Sequence, residues 1–131
     1  MVTREQIKTK LHELNAAEND RVNTTVEATS LRIDEVMAPD VEGWRNGAHV
    51  ASRAVEREVE KKAFGALVDY HRTFEVMIID PPYAALTWTI RGTFLGEQVC
   101  APGCSNFEFN DEGRVQKYWM YFDPAHFVYR K

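Results

Sequence analysis

The sequence predicts an α+β domain in which three helical segments precede a curved, mixed-to-antiparallel sheet. Apolar residues recur at helical spacing in the first half of the chain, and they alternate singly from about residue 72 onward. Helices followed by a run of hairpin-linked strands are typical of α+β rather than parallel α/β domains. The chain has 131 residues, which is the usual size of one domain, so we expect a single domain over residues 1–131.

The first two helical segments have recognisable beginnings and ends. Thr3 and Gln6 match a capping box, and an apolar stripe follows, which predicts a first helix over about residues 4–16. Asn19-Asp20 can cap a second segment. We expect that segment to stop before Pro39, because proline disfavours helical backbone in the residue before it.

The third helix has the clearest amphipathic pattern. Ser52 is placed to cap it, and Val55 and Val59 lie on its apolar face. Glu56 and Glu60 fall on the opposite face together with neighbouring basic residues. This charged face is predicted to be solvated.

Strand-like segments rich in β-branched and aromatic residues fill the second half of the chain. Four long strands are predicted at residues 74–80, 84–95, 105–111 and 114–123. A short hairpin turning at Asn46-Gly47 is expected before the third helix. Residues 95–103 are interpreted as a loop. Cys100 and Cys104 would then be two reduced thiols in a turn, a local disulfide or a redox dithiol.

Composition excludes several classes of function. A net charge of −4 argues against a broad nucleic-acid surface, which needs clustered Lys and Arg. No apolar run approaches the ~20 residues of a membrane-spanning helix, and the charged N-terminus shows no secretory signal, so a cytoplasmic location without membrane contact is expected. No metal-ligand spacing or glycine-rich phosphate loop occurs, so we expect no cofactor and no catalytic metal.

Two segments carry a resemblance to a known family. MAPDVEGWRNG at 37–47, FEFNDEGRVQKYWMYFDPAHF at 107–127 and the order of elements resemble the SnoaL-like branch of the NTF2-like superfamily. The resemblance spans roughly residues 3–127. It implies a cone-shaped domain whose pocket lies between the concave sheet and the helices, with reactive carboxylates projecting from strands. The superfamily includes polyketide cyclases, isomerases, dehydratases, epoxide hydrolases and non-catalytic binders.

Asp123 is the leading candidate for a catalytic acid or base. It ends the last predicted strand, and Tyr-Phe-Asp resembles the position at which limonene-epoxide hydrolase and SnoaL-type cyclases carry a reactive aspartate. The alternative is that Asp123 only caps the turn ahead of Pro124. If it is the site base, it should lie at the base of a largely apolar cavity, near Arg91, Asn46 or a bound water.

Three further residues are candidates for the same site. Asn46 resembles the hydrolase asparagine that holds the attacking water, although Asn-Gly is also a common turn. Arg91 could hold Asp123 ionised or bind an anionic substrate, or it could be a solvated strand residue. Thr93 replaces the family's epoxide-protonating aspartate, and a hydroxyl is too weak an acid for that step. His71 is a possible proton shuttle or a helix-end residue.

The remaining predictions concern ligand and partner. Aromatic strand residues could line the pocket, or they could be ordinary core: Trp44, Trp88, Phe107, Trp119 and Tyr121. The predicted function is a pocket for a small apolar or cyclic molecule, with cyclisation, isomerisation or dehydration catalysed by an aspartate. The alternatives are non-catalytic binding of a hydrophobic ligand and a dimerisation module. A homodimer is expected from the resemblance and from the surplus of strand aromatics.

Overall fold

A computed structural model describes residues 1–63 and 65–127, which form three helices packed on one six-stranded sheet. The helices are α1 (Arg4–Asn19), α2 (Val26–Asp34) and α3 (Arg53–Ala63). The strands are β1 (Met37–Arg45), β2 (Ala48–Val50), β3 (His71–Asp80), β4 (Tyr83–Phe94), β5 (Glu97–Phe109) and β6 (Val115–Phe122). Short 3₁₀ turns occupy Asp20–Asn23 and Pro124–Phe127.

The strand order in the sheet is β2-β1-β6-β5-β4-β3. Neighbouring strands are antiparallel except β1 and β6, which pair in parallel. This mixed sheet with its helices confirms the predicted α+β cone. In the described residues, no helix combines the length and apolar character needed to cross a membrane.

The helix starts follow the predicted capping chemistry. Thr3 Oγ1 accepts a hydrogen bond from Gln6 N at 3.2 Å, and the Gln6 side chain accepts one from Thr3 N, which completes the capping box. The second segment differs from its prediction, since its helix begins after Thr25, whose hydroxyl accepts from Ala28 N. It ends at Asp34, and β1 begins at Met37, so Pro39 lies inside a strand and does not stop the helix as predicted.

The first core cluster joins α1 and α2 to the concave face of the sheet. It contains Ile7, Leu11, Leu14, Ile33, Trp88, Val115 and Tyr118 among its buried residues. Trp88 on β4 and Tyr118 on β6 face the core. Because side chains alternate along a strand, Arg91 on β4 and Trp119 on β6 lie on the opposite, convex face of the sheet.

The CAPGC segment lies in a strand, which corrects the loop prediction. β5 runs without a break from Glu97 to Phe109, and the hairpin before it turns at Leu95-Gly96. Both cysteines are free thiols, and the four residue steps from Cys100 to Cys104 along the strand place their Cα atoms about 13 Å apart. A disulfide needs Cα atoms within about 7 Å, so the strand geometry excludes a local one.

Candidate functional site

A cavity of about 360 Å³ lies between the concave face of the sheet and the helices. Its wall is mostly apolar and includes Ile33, Leu67, Trp88, Ile90, Met120 and Phe122. Ligand pockets in proteins usually measure about 300–1,000 Å³, so this one suits a compact molecule with a bicyclic or tricyclic ring system. The last strand contributes its Tyr118–Met120–Phe122 face to the interior.

Trp88 forms a fixed aromatic wall of the cavity. Only 1% of this residue is exposed, and its indole Nε1 donates a hydrogen bond to Ser105 Oγ at 2.9 Å. The ring lies against Gly103 on β5, where an added Cβ would be only 2.4 Å from the indole. Gly103 is therefore needed for the close approach that sets the position of the ring.

Glu60 provides a carboxylate at the cavity wall. It lies on α3, its side chain is 14% exposed, and its Oε2 accepts hydrogen bonds from Arg53 Nη1 at 3.0 Å and Ser30 Oγ at 3.3 Å. Burial raises the pKa of Glu60, while the hydrogen bond from Arg53 lowers it. A largely buried carboxylate with a raised pKa, held in place by two donors, is suited to accept and return a proton.

A buried ionic network stands behind Glu60. Arg53 Nε donates to Asp34 Oδ1 at 2.7 Å, and Nη1 donates to Glu56 Oε1 at 3.2 Å as well as to Glu60. Tyr118 donates its hydroxyl hydrogen bond to Glu56 Oε2. Burial raises the pKa of both Glu56 and Tyr118. This network ties α3 to α2 and β6, so the position of Glu60 is fixed by the fold.

Tyr118 reaches Glu56 because Gly43 leaves room for its ring. A Cβ at Gly43 would lie 2.1 Å from the Tyr118 Cζ atom. Gly43 and Tyr118 are register partners on the parallel strands β1 and β6. The glycine thus permits the phenol to cross β1 toward α3.

A second group of charged residues lines the cavity beside Tyr70. The Arg21 guanidinium lies 3.6 Å from the centre of the Tyr70 ring and pairs with Glu18. Arg72, at the start of β3, is held by Asn15 on α1, whose Oδ1 accepts from Arg72 Nε at 2.9 Å. Burial raises the pKa of Tyr70, which therefore remains a neutral phenol.

Asp123 and Asn46 do not lie in this cavity. Asp123 is exposed, and its Oδ1 accepts a hydrogen bond from Ala125 N at 2.9 Å, which is the capping geometry of a turn. Its expected position at the base of the cavity is therefore wrong, because β6 ends one residue earlier, at Phe122, and Asp123 caps the following turn at the surface. Asn46 is exposed in the β1–β2 turn at φ 50°, and its Oδ1 accepts from Phe122 N at 2.9 Å.

His71 and Arg91 lie together, but on the outside of the sheet. They are register partners on β3 and β4, and both are exposed. His71 Nδ1 lies 3.4 Å from Thr73 Oγ1. Their strand positions have the parity opposite to Trp88 and Ile90, which directs them away from the cavity.

The predicted aromatic residues divide between the two faces. Of these, Trp88 lines the cavity, whereas Phe107 belongs to the core cluster below it. On the convex face Trp44 stacks on Trp119, with ring centroids 5.4 Å apart and planes 9° apart, and Tyr121 is 46% exposed. The structure therefore brings one predicted ligand-binding residue to the pocket.

Sequence reasoning missed the charged residues of α3. Glu56 is buried and Glu60 nearly so, whereas Val55 on the predicted apolar face is exposed. The solvated-face prediction is therefore wrong for these two carboxylates. A signal was present in the spacing, because Arg53, Glu56 and Glu60 form one stripe of opposite charges that can satisfy each other in the interior.

Solved structures share this fold over nearly the whole chain. AclR from Streptomyces galilaeus, provisionally assigned as a hydroxylase, has a TM-score of 0.80 at 19% identity, covering 95% of this chain and 94% of AclR. A protein from Jannaschia sp. CCS1, provisionally assigned as a SnoaL-like polyketide cyclase, has a TM-score of 0.79 at 14% identity, with coverages of 95% and 92%. TerC, co-crystallised with polyporic acid, has a TM-score of 0.74 at 18% identity, with coverages of 93% and 95%.

These likenesses establish the fold class. The chain has the NTF2-like fold of the SnoaL-like proteins, in agreement with the resemblance found in its sequence. No protein-family model matches the sequence, and no curated protein matches it significantly. At such low identity the shared fold does not carry an activity with it, so function must be argued from the cavity.

Proposed function

We propose that this protein binds a small, largely apolar ring compound in its cavity and catalyses a proton transfer on it, with Glu60 as acid and base. The observation that carries the proposal is a largely buried carboxylate on the wall of a mostly apolar cavity. Isomerisation, dehydration and aldol cyclisation all need such a group beside an acidic C–H bond. The SnoaL-like cyclase assignment of one structural neighbour and the polyporic acid bound to another support this class of substrate.

The chemistry follows from the surroundings of Glu60. Its pKa is raised by burial, so the carboxylate is a stronger base than an exposed one and its acid form can return the proton at a later step. Arg53 and Ser30 both contact Oε2 and keep the group oriented. Hydrogen bonds to Oε2 leave the other carboxylate oxygen as the proton acceptor.

The exchange of α-protons of a bicyclic ketone tests this proposal directly. 2-Tetralone in D₂O exchanges its benzylic α-protons, and ¹H NMR follows the loss of their signal. We expect the protein to accelerate the exchange and Glu60→Gln to slow it by ~10²–10⁴-fold, because the amide cannot accept the proton. Asp123→Asn is the matched control, since it makes the same change at an exposed carboxylate.

The two variants separate the structural and the sequence-based hypotheses. Loss of exchange in Asp123→Asn with full activity in Glu60→Gln would restore Asp123 as the base and refute Glu60. Urea unfolding of both variants shows whether either change acts through stability. An unaccelerated exchange with the wild-type protein, under conditions where 2-tetralone binds, would favour the second candidate function.

That second candidate is non-catalytic binding of a hydrophobic ligand. It is favoured by the ion pair of Glu60 with Arg53, which is also what a purely structural carboxylate would form. In that case Glu60→Gln would lower stability without any effect on proton exchange. Saturable binding of 2-tetralone with no acceleration is the result expected for a binder.

A further inference from the structure

Arg72 is a buried cation on the cavity wall without an acidic partner. The residue is 7% exposed and belongs to the cavity lining. Within residues 1–63 and 65–127, it forms no ion pair with a carboxylate, and its Nη2 atom is buried with no hydrogen-bond partner. Buried charges in proteins are normally paired, so this guanidinium lacks the anion that would compensate it.

The position of Arg72 is strongly constrained by α1. Asn19 Oδ1 accepts from Arg72 N at 2.7 Å, and the Asn15 and Asn19 amides both donate to the Arg72 carbonyl. Arg72 Nε donates to Asn15 Oδ1, and the guanidinium lies 5.2 Å from the Phe74 ring centre. These contacts orient the group but leave its charge unneutralised, which is the arrangement of a preorganised anion-binding residue.

The charged residues that line the cavity also favour an anionic ligand. The charged lining residues are Glu18, Arg21, Arg45, Glu60 and Arg72. Glu18 is paired with Arg21, and Glu60 is paired with Arg53. Both lining carboxylates therefore have partners. Among the described residues Arg45 and Arg72 form no ion pair, and each has one buried guanidinium nitrogen without a hydrogen-bond partner, but Arg72 is the more deeply buried of the two. The cavity wall carries more arginines than glutamates although the chain as a whole has a net charge of −4.

We infer that the ligand is a ring compound bearing an anionic oxygen group, and that Arg72 binds this group. This inference rests on the proposed function, in which the cavity binds a ring compound. It adds that the ligand carries a negative charge. A carboxylate or an acidic ring enol fits, because a guanidinium donates two parallel hydrogen bonds to such oxygens. Apolar contacts to Trp88 and Ile90 would hold the ring.

Calorimetric titration with 2-naphthoate and 2-naphthamide tests the inference, since the two molecules share a ring and differ in charge. We expect the wild-type protein to bind naphthoate about tenfold or more tightly than naphthamide, as for a hydrogen bond to a charged group. Arg72→Gln should abolish this preference while leaving naphthamide binding unchanged. Arg72→Lys should retain part of it, and Arg91→Gln, which changes the exposed arginine of the convex face, should retain all of it.

Each other outcome counts against the inference. If Arg72→Gln lowers the affinity for both compounds equally, Arg72 only stabilises the structure and does not bind the anionic group. If acetate binds as tightly as naphthoate, the site takes a free anion instead of a ring compound. If the wild-type protein binds both compounds with the same affinity, the inference fails but the proposed cavity stands. If it binds neither, the proposed ring-binding function fails as well.

Discussion

The same residue types occur on the concave and convex faces of the sheet, but they differ there in burial and in their contacts. On the concave face Trp88 and Tyr118 are buried, and each donates a hydrogen bond to a single buried acceptor. On the convex face Trp44 and Trp119 stack on each other while remaining half-buried. The charged residues divide similarly, since Glu60 lines the cavity whereas Arg91 is exposed.

This difference shows that residue type is a weak guide to a site within a sheet. Adjacent strand residues differ by one position in sequence but face opposite sides. Helices α1, α2 and α3 cover the concave side, where the cavity lies. A carboxylate or an arginine on that side interacts more strongly with other charges, because surroundings of low polarity strengthen electrostatic interactions.

The two faces should differ most in the free energy of unfolding that is lost when a tryptophan is removed from each. Trp88→Ala removes a residue that is 1% exposed and leaves Ser105 without its partner, so it should lower the free energy of unfolding by about 3–5 kcal/mol. Trp119→Ala removes a half-buried ring and one stacking contact, for which about 1–2 kcal/mol is expected. Urea unfolding measures both, and equal losses would contradict the proposed division.

Gly43→Ala tests the close contact that supports the buried network. The new methyl group would overlap the Tyr118 ring and push its hydroxyl away from Glu56, so a loss of about 3 kcal/mol is expected. In the double variant Gly43→Ala/Tyr118→Leu the overlap is relieved. The two losses should therefore not add, and full additivity in a double-mutant cycle would show that the two residues do not interact.

The pH dependence of stability should distinguish buried from exposed carboxylates. Burial raises the pKa of Glu56 above its ordinary 4.5, so the folded state holds the proton more tightly than the unfolded state. The stability linked to this group is complete below about pH 4.5 and is lost as the pH rises through the raised pKa. Each pH unit between the unfolded and folded pKa values of Glu56 corresponds to a loss of about 1.4 kcal/mol. Urea titrations between pH 4 and pH 8 would measure the decline.

Two glutamine variants provide the comparison for that measurement. Glu56→Gln should flatten the decline, because the amide does not ionise. Glu42→Gln, at an exposed carboxylate that contacts His49 on the convex face, should leave the decline unchanged. A decline that persists in Glu56→Gln would assign the pH dependence to other groups, with Glu60 the next to examine.

The smallest effect on monomer stability is expected for Tyr121→Glu. The convex face exposes Val76, Ile78, Tyr83 and Tyr121, and a second copy of the chain could cover them. We predict that the wild-type protein is a homodimer at micromolar concentration and that Tyr121→Glu is a folded monomer whose unfolding does not depend on protein concentration. Light scattering measures the first point and urea unfolding the second, and a monomeric wild-type protein would contradict the prediction.

The sequence by itself determined the fold class, the α1 cap and the Asn46-Gly47 turn. These features depend on local periodicity and on backbone preferences that a few neighbouring residues encode. It also indicated the approximate position of the long strands. The loop predicted at residues 95–103 is wrong because Pro102 and Gly103 are residue types typical of turns, whereas β5 continues through them.

Only the tertiary structure decided which residues form the candidate site. The position of Glu60 depends on Arg53 and Ser30, and Ser30 lies 30 residues away in sequence. The sequence places Asp123 at the end of a strand, but whether that end faces the cavity depends on one residue of register. Strand and helix periods tell which residues share a face, whereas the packing of α3 against the sheet decides which face is buried. That packing depends on long-range contacts, and the charge stripe of α3 is compatible with either a buried or a solvated face.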